Sequence, residues 1–302
     1  MAVTTDDRIT IPCYLLVSRP EPAGVGPATR QVRQNDRVRK LLTGVLATIL
    51  AVILGGVGTD FGAAIYAEYR LARSVRTAAQ LHFDPWASIL GFPFITQARA
   101  HHYREIEIRA NGVEHPVTGR VSLEATLHSI DLSDSTWLIG PDAELPVDIA
   151  ESRIIIDSTH VGKFMGIKDL LVEAPQRESN DATGGTTESG ISSGNGLIFT
   201  GTPTAADFHE RVSVAVDLTT GDADGSTLVM TATGVLTGPG TADEPVPEDK
   251  TAAVLKAFSN RIPGQRLPFG LTPTTAGARG SDIIVEGIAE GLTVRLDEFR
   301  QS

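Results

Sequence analysis

The sequence has little chemistry that metals or nucleic acids need. It contains one cysteine, Cys13, so no disulfide forms within one chain, and zinc sites built on two or four cysteines are excluded. The histidine pair His101-His102 is not a metal pair, because adjacent strand residues point to opposite faces. Lysine and arginine number 26 against 37 aspartates and glutamates, and the net charge of −11 argues against a nucleic-acid partner. The sequence predicts no cofactor and no metal.

Catalytic motifs are equally scarce. The chain has no phosphate-binding glycine loop and no paired catalytic carboxylates in a motif context. Residues 190–194 read G-x-S-x-G, with Ser192 at the nucleophile position. A nucleophile elbow needs a strand before the first glycine and a helix after the serine, whereas a Thr/Glu/Ser/Gly tract precedes this one and another glycine follows it. We expect a protein that is not an enzyme, and an envelope esterase using Ser192 is the alternative.

One long stretch carries no charge at all. Leu41 to Thr59 is uncharged between Lys40 and Asp60, and as an α-helix it would span roughly 28 Å, close to the hydrocarbon thickness of a bilayer. A buried core helix and a cleaved signal peptide are the alternatives. A core helix rarely stays uncharged on every face for five turns, and a signal peptide would have an unusually long amino-terminal region. The sequence predicts an uncleaved membrane anchor.

Basic residues precede this anchor and set its expected orientation. They are Arg30, Arg33, Arg37, Arg39 and Lys40. The positive-inside rule places the N-terminus in the cytoplasm. We therefore expect a single-pass protein of the cell membrane. Residues 1–40 are predicted as a mostly disordered cytoplasmic tail, 41–59 as the anchor, and 60–302 as an extracytoplasmic domain with a disordered Gly/Ser-rich loop at about 178–196.

The region after the anchor alternates between helix and strand patterns. A helix over 61–83 is predicted to bury one apolar stripe: Phe61, Ile65, Tyr69, Ala72, Val75 and Ala79. Apolar residues alternate with polar ones in Tyr103–Ala110 and Arg120–His128, which is typical of antiparallel strands. A last strand pair is predicted at Asp282–Ala289 and Leu292–Asp297, with a turn at Glu290-Gly291. The fold class is α+β, an antiparallel sheet packed against a few amphipathic helices.

Three segments resemble a known family. They are Gly91-Phe92-Pro93-Phe94-Ile95-Thr96-Gln97, Tyr103-Arg104-Glu105-Ile106, and Leu267-Pro268-Phe269-Gly270-Leu271 before the closing strands. With the single N-terminal apolar segment, the chain from about 60 to 300 resembles the actinobacterial LmeA-like family, also called the DUF2993 family. The resemblance implies a curved sheet and helices that enclose an apolar cavity for phospholipid. It further implies a role in lipoglycan (mannan) assembly in the envelope or in lipid transfer, with envelope glycosyltransferases as partners.

Phospholipid binding requires a dry aliphatic wall, an opening and a polar rim, because each exposed methylene costs about 0.8 kcal/mol. The wall candidates are Val121, Leu123, Leu127, Ile154, Ile156, Phe164, Met165, Leu228 and Met230. The mouth candidates are Phe92, Phe94, Ile95 and Trp137. Ordinary core packing is the alternative for every one of them.

A basic helix face is the candidate membrane surface. Arg70, Arg73 and Arg76 recur along the helix after the anchor and would face anionic headgroups. The alternative is a solvated helix face. A second hypothesis for the whole chain is a non-enzymatic envelope scaffold for a glycan- or lipid-building enzyme, which an exposed apolar patch without a cavity would favour.

Overall fold

A computed structural model describes residues 30–132, 136–175, 192–223, 225–238, 241–242 and 245–300, with backbone alone for residues 30–38. The chain divides into two units, Met1–Gly55 and Gly56–Ser302. Residues 1–29 of the tail predicted for residues 1–40, and most of the loop predicted at about 178–196, lie outside the described residues. The end of the predicted tail, from Arg30 to Lys40, is helical.

The described part of the chain contains four α-helices and twelve strands. The helices are α1 (Arg30–Ala78), α2 (Phe94–Ala100), α3 (Ser158–Met165) and α4 (Glu248–Phe258). The strands are β1 (Trp86–Leu90), β2 (His102–His115), β3 (Gly119–Asp131), β4 (Glu144–Ile156), β5 (Ile167–Glu173), β6 (Ser192–Ser193), β7 (Leu197–Pro203), β8 (Val212–Gly221), β9 (Thr227–Leu236), β10 (Asn260–Ile262), β11 (Thr275–Arg279) and β12 (Asp282–Arg295).

The first unit contains most of the apolar run of α1. Large apolar side chains from Leu41 to Leu54 are 51–69% exposed, and the most apolar window of the helix buries nothing against the protein. A core helix would bury at least one face. The run is therefore not a core helix, and α1 is long and apolar enough to cross a membrane.

In the second unit, only part of the predicted apolar stripe of α1 is buried against the domain, where Val75 and Ala79 are buried as predicted. Ala67, Leu71 and Val75 are buried, whereas Phe61, Ile65 and Tyr69 are exposed, so the predicted buried stripe is wrong for those three residues. Hydrogen bonds on the flanks fix the rotation. The Glu68 carboxylate accepts from Ser88 Oγ at 2.8 Å and from the Ile89 N–H at 2.9 Å, and Ser74 Oγ donates to the Ile139 carbonyl at 2.8 Å.

The strands of the described residues form two antiparallel sheets. The seven-stranded sheet has the order β1-β2-β3-β4-β12-β11-β6, and the five-stranded sheet has the order β10-β9-β8-β7-β5. The alternation predicted for β2 and β3 is confirmed: Ile106, Ile108 and Ala110 on β2 are buried, as are Val121 and Leu123 on β3. Burying an aliphatic side chain contributes about 1.5–3 kcal/mol, so these alternating positions fix which face is dry.

One hydrophobic core joins both sheets and the helices. It includes Leu127 of β3, Phe199 of β7, Phe258 of α4 and Leu71 of α1. Helix α4 packs against β9, and α3 packs against β5. The predicted fold class, an α+β arrangement of curved antiparallel sheet and a few helices with one long apolar N-terminal helix, is confirmed.

The predicted hairpin at Glu290-Gly291 is wrong. Asp282–Arg295 forms one continuous strand, β12, which pairs with β4 on both sides of this dipeptide, from Ile283 opposite Ile156 to Arg295 opposite Glu144. Gly291 has a φ of +62°. A glycine takes this conformation without a Cβ clash, so the local irregularity is accommodated within the strand and no turn is needed.

Ser192 sits in a setting that does not suit a nucleophile elbow. It lies on β6, where it is opposite Ala278 of β11. The chain then bends through Gly194, whose carbonyl accepts from the Leu218 N–H at 2.6 Å, and continues into β7. A strand follows the serine where the elbow requires a helix.

His115 is a buried histidine held in its neutral form. It is 3% exposed at the end of β2. Its Nδ1 accepts from the N–H groups of Val117 and Thr118, both at 3.2 Å, so Nδ1 carries no proton. Its Nε2 therefore donates to the Gly264 carbonyl at 3.0 Å. Burial lowers the pKa of His115 below its ordinary value, partly offset by the bond to Gly264.

We expect acid to destabilise the fold through His115. The folded pKa lies below the ordinary value of about 6.5, so the unfolded chain binds the proton more readily. The free energy of unfolding should be highest above about pH 6.5 and fall as the pH drops through the folded pKa, by at most about 1.4 kcal/mol per pH unit. Urea denaturation of the full chain in detergent, at a series of pH values, measures this slope.

The variant His115→Gln should flatten that part of the pH dependence. His209→Gln is the matched control, because the His209 side chain is 75% exposed. Equal slopes in wild type and His115→Gln would contradict the assignment.

Candidate functional site

A buried carboxylate holds the start of α2 from 34 residues away. Asp60 directly follows the apolar run and is 5% exposed. Its Oδ2 accepts from the Phe94 N–H at 2.8 Å, and its Oδ1 accepts from the Ile95 N–H at 2.8 Å. Pro93, at the N-cap, offers no side-chain cap. Asp60 therefore satisfies two free donors of α2 and places a negative charge at its positive end.

Gln97 closes the segment on its other side. Its Nε2 donates to the Gly91 carbonyl and its Oε1 accepts from the Arg104 N–H, both at 2.9 Å. Gly91 has a φ of +112°, and a Cβ there would lie 2.8 Å from Gln97 Nε2, so a larger residue would break this contact. Asp60 and Gln97 together join α1, the Gly91–Gln97 segment and β2.

Phe94, the first residue of α2, belongs to a cluster of three aromatic rings. Phe94 stacks on Tyr103 with ring centroids 5.9 Å apart and meets Trp137 edge-on at 6.2 Å. Tyr103 Oη donates to the Trp137 carbonyl at 2.5 Å. Burial raises the pKa of Tyr103 to about 12, so its hydroxyl stays protonated and remains a donor near neutral pH. The cluster fixes the Trp137 backbone against β2.

A pocket of about 420 Å³ opens beside these rings, and we call it the α2 pocket. It is lined by Ala63, Phe94, Ile95, Ala98, Arg99, His101 and Trp137. Most of the lining is apolar, and two side chains can carry positive charge. Among the described residues, no carboxylate lies within 4 Å of the exposed Arg99 guanidinium. His101 Nδ1 lies 3.4 Å from the Leu132 carbonyl, which leaves Nε2 for another partner. The pocket therefore combines an apolar surface with cationic and hydrogen-bonding groups.

The structure brings most of the predicted mouth residues together. Phe94, Ile95 and Trp137 all line the α2 pocket. Phe92 lies outside it, where its ring stacks on Phe61 at 6.0 Å. Neither Arg99 nor His101 was among the predicted site residues, and Ala63 and Ala98 were also missed.

The predicted wall residues lie in the core. All but one are 0–4% exposed and belong to the joint core of the two sheets: Val121, Leu123, Leu127, Ile154, Ile156, Met165, Leu228 and Met230. Phe164 is on the outside of α3, because that helix turns Val161 and Met165 inward. Contact between these side chains and a lipid stays a prediction.

The three predicted surface arginines differ in their partners. Arg70 and Arg73 donate to the hydroxyls of Tyr66 and Tyr69, at 3.4 and 2.6 Å. Arg76 instead pairs with Asp84 at 3.3 Å. Of the three, only Arg76 therefore has a carboxylate of the described residues within 4 Å, and Arg73 feels the same Asp84 more weakly.

The third resemblance segment, Leu267–Leu271, belongs to the core rather than to the α2 pocket. Leu267 and Phe269 are buried, and Phe269 packs on Phe299 with ring centroids 5.5 Å apart. Ser152 Oγ donates to the Pro268 carbonyl at 3.0 Å, which ties the segment to β4. Within the described residues, no group of three or more His, Cys, Asp and Glu side chains is arranged to hold a metal ion.

We expect Asp60→Ala to loosen α2. Two backbone N–H groups would lose their acceptor, at a cost of about 1–3 kcal/mol. Hydrogen exchange of the full chain should show faster exchange at Phe94 and Ile95 and along α2. Asp84→Ala is the control, since it removes a surface ion pair worth about 0–1 kcal/mol. Unchanged exchange in α2 of the Asp60 variant would contradict the capping role.

Comparison with known proteins places this site within one family. Residues 58–288 match the model of the family described as LmeA-like phospholipid-binding. The matched range contains the Asp60 cap, the aromatic cluster and every residue of the α2 pocket. No curated protein and no solved structure matches the chain. Because the match covers well over half of the sequence, the chain belongs to the LmeA-like phospholipid-binding family.

Proposed function

We propose that this chain is a membrane-anchored, non-enzymatic protein of the cell envelope that binds phospholipid at the α2 pocket. One observation carries the proposal: the α2 pocket combines an apolar lining with Arg99 and His101, and it lies beside Asp60, the residue that follows the apolar run. A phospholipid has the complementary chemistry: apolar chains joined to an anionic phosphate. Arginine suits phosphate because its planar fork of N–H donors matches two phosphate oxygens.

The size of the pocket indicates which part of the lipid it takes. A volume of about 420 Å³ is near the lower end of the range for small-molecule sites, about 300–1,000 Å³. A two-chain phospholipid is larger than a drug-sized ligand, so the whole molecule does not fit. We assign the pocket to the glycerol–phosphate end and the first methylenes. The phosphate would lie toward Arg99 and His101, and the methylenes toward Phe94 and Ile95.

The parts of the acyl chains that the pocket does not hold lie either in the membrane leaflet or in the protein core. The core route would bring the chains to the predicted wall, including Leu123, Leu127 and Ile154. Uncovering each such side chain costs about 1.5–3 kcal/mol, and contact with an acyl chain would offset that cost. Lipid in the core thus requires the two sheets to separate.

The finer role that we propose is lipid delivery. Support comes from the resemblance, which implies a part in lipoglycan (mannan) assembly or lipid transfer, with envelope glycosyltransferases as partners. The basic residues before the apolar run support a cytoplasmic N-terminus, and thus an extracytoplasmic domain. Movement of labelled phospholipid between donor and acceptor vesicles in the presence of the full chain would test the transfer role.

We expect Ala63→Phe to fill the α2 pocket and displace lipid. A side chain that overlaps the ligand costs about 1–3 kcal/mol, so lipid affinity should fall roughly 5- to 150-fold. The measurement is native mass spectrometry of the full chain released from phospholipid nanodiscs, counting retained lipids.

Ala253→Phe is the control for Ala63→Phe. It adds the same ring at an exposed position of α4. Lipid that is bound by the anchor alone should be retained equally by both variants. Equal lipid retention by the two variants, with both folded by circular dichroism, would reject the α2 pocket as the site.

A further inference from the structure

The end of α1 and the segment before α2 share an exposed apolar surface. Phe61, Ile65, Phe92 and Ile95 are 56%, 64%, 57% and 36% exposed. Phe61 and Phe92 stack on each other, and Ile95 adjoins them because its N–H is bonded to Asp60. A joined patch of large apolar side chains on a chain of net charge −11 marks a contact surface rather than scattered surface residues.

The position of this patch along α1 indicates what covers it. With a rise of about 1.5 Å per residue, Phe61 lies about 3 Å beyond Thr59, and Ile65 about 9 Å beyond it. The headgroup layer on each side of a bilayer is roughly 5–7 Å thick. If Leu41–Thr59 fills the hydrocarbon core, Phe61 falls inside this layer and Ile65 near its outer boundary. Phe92 stacks on Phe61 and shares its level.

Paired tyrosines and arginines continue from the patch along α1. Tyr66 and Tyr69 are exposed, and their hydroxyls accept from Arg70 and Arg73. Arg73 also lies over the Tyr69 ring, 5.6 Å from its centroid. Helical side chains tilt toward the N-terminus, which here is the anchor side. By the same rise, Tyr66 and Tyr69 lie about 10 and 15 Å beyond Thr59, above the headgroup layer, where basic residues beside them attract anionic lipids over about 8–10 Å.

We propose that Phe61, Ile65, Phe92 and Ile95 form a membrane seat, inserted in the headgroup layer of the leaflet beside the anchor. Arg70 and Arg73 lie above this layer, and their charge attracts anionic lipid headgroups at longer range. The occupant is the bilayer because the patch adjoins the uncharged run and because, among the described residues, no carboxylate lies within 4 Å of either guanidinium. This goes beyond lipid binding by the α2 pocket, since it defines where the pocket opens. Ile95 belongs to both surfaces, so a lipid passes from the leaflet to the pocket without crossing water.

The test places one fluorescent label at a time on the full chain. Cys13→Ser removes the native thiol, and Phe92→Cys, Ile65→Cys or Ile288→Cys introduces the labelled one. Ile288 is the matched control: it is an exposed isoleucine of β12, 50% exposed and four strands from β1, roughly 19 Å away. The proteins are placed in nanodiscs of phosphatidylcholine and phosphatidylglycerol with a nitroxide at the headgroup or upper acyl chain of a trace lipid.

We expect the lipid nitroxide to quench labels at 92 and 65 and an aqueous quencher to reach only the label at 288. Labels at 92 and 65 that behave like the one at 288 overturn the seat. Protection from both quenchers, with disulfide dimers of Ile65→Cys, also overturns it and assigns the patch to a second copy. Adding Ala63→Phe should leave the quenching unchanged, so a failed seat and a failed lipid pocket are separate results.

Discussion

The two hydrogen bonds from the Asp60 carboxylate to the start of α2 are the constraint on which the site depends. They join the residue that ends the apolar run to the segment that carries Phe94 and Ile95. A buried carboxylate is costly unless its oxygens are bonded, and here both are. Because the partners are backbone donors, the bonds fix where α2 begins and hence which side chains turn toward the α2 pocket.

The rest of the domain supports this junction. Glu68 and Ser74 orient α1, Tyr103 holds the Trp137 backbone, and Gln97 links the Gly91–Gln97 segment to β2. These polar contacts lie at the edge of a core whose interior is mostly aliphatic. A closed core and a small amphiphilic pocket beside Asp60 are consistent with the proposal that the chain takes hold of a lipid by one end. In the functions that we propose, the α2 pocket and the membrane seat act on the same lipid in sequence.

The sequence was sufficient for the fold class, and it named three residues that line the α2 pocket but neither of its polar ones. Period-2 alternation identified β2 and β3 because burial repeats every second residue. The Phe92-Pro93-Phe94 segment indicates a rigid aromatic loop, but the sequence alone does not separate a pocket mouth from ordinary core packing. The Asp60 cap was invisible, since it spans 34 residues and depends on tertiary packing. The first half of the buried stripe of α1 was also mispredicted, because Phe61 and Ile65 are as apolar as the residues that the domain buries.

The measurement that tests the central claim most directly is mapping of a photoactivatable phospholipid crosslinked to the full chain in nanodiscs. A diazirine near the glycerol should label peptides that contain Phe94–His101 and Trp137. The internal control is a pocket of similar volume, about 460 Å³, lined partly by Phe269, Asp297 and Glu298, which should stay unlabelled. Labelling of that pocket, or of the anchor helix alone, would contradict lipid binding at the α2 pocket.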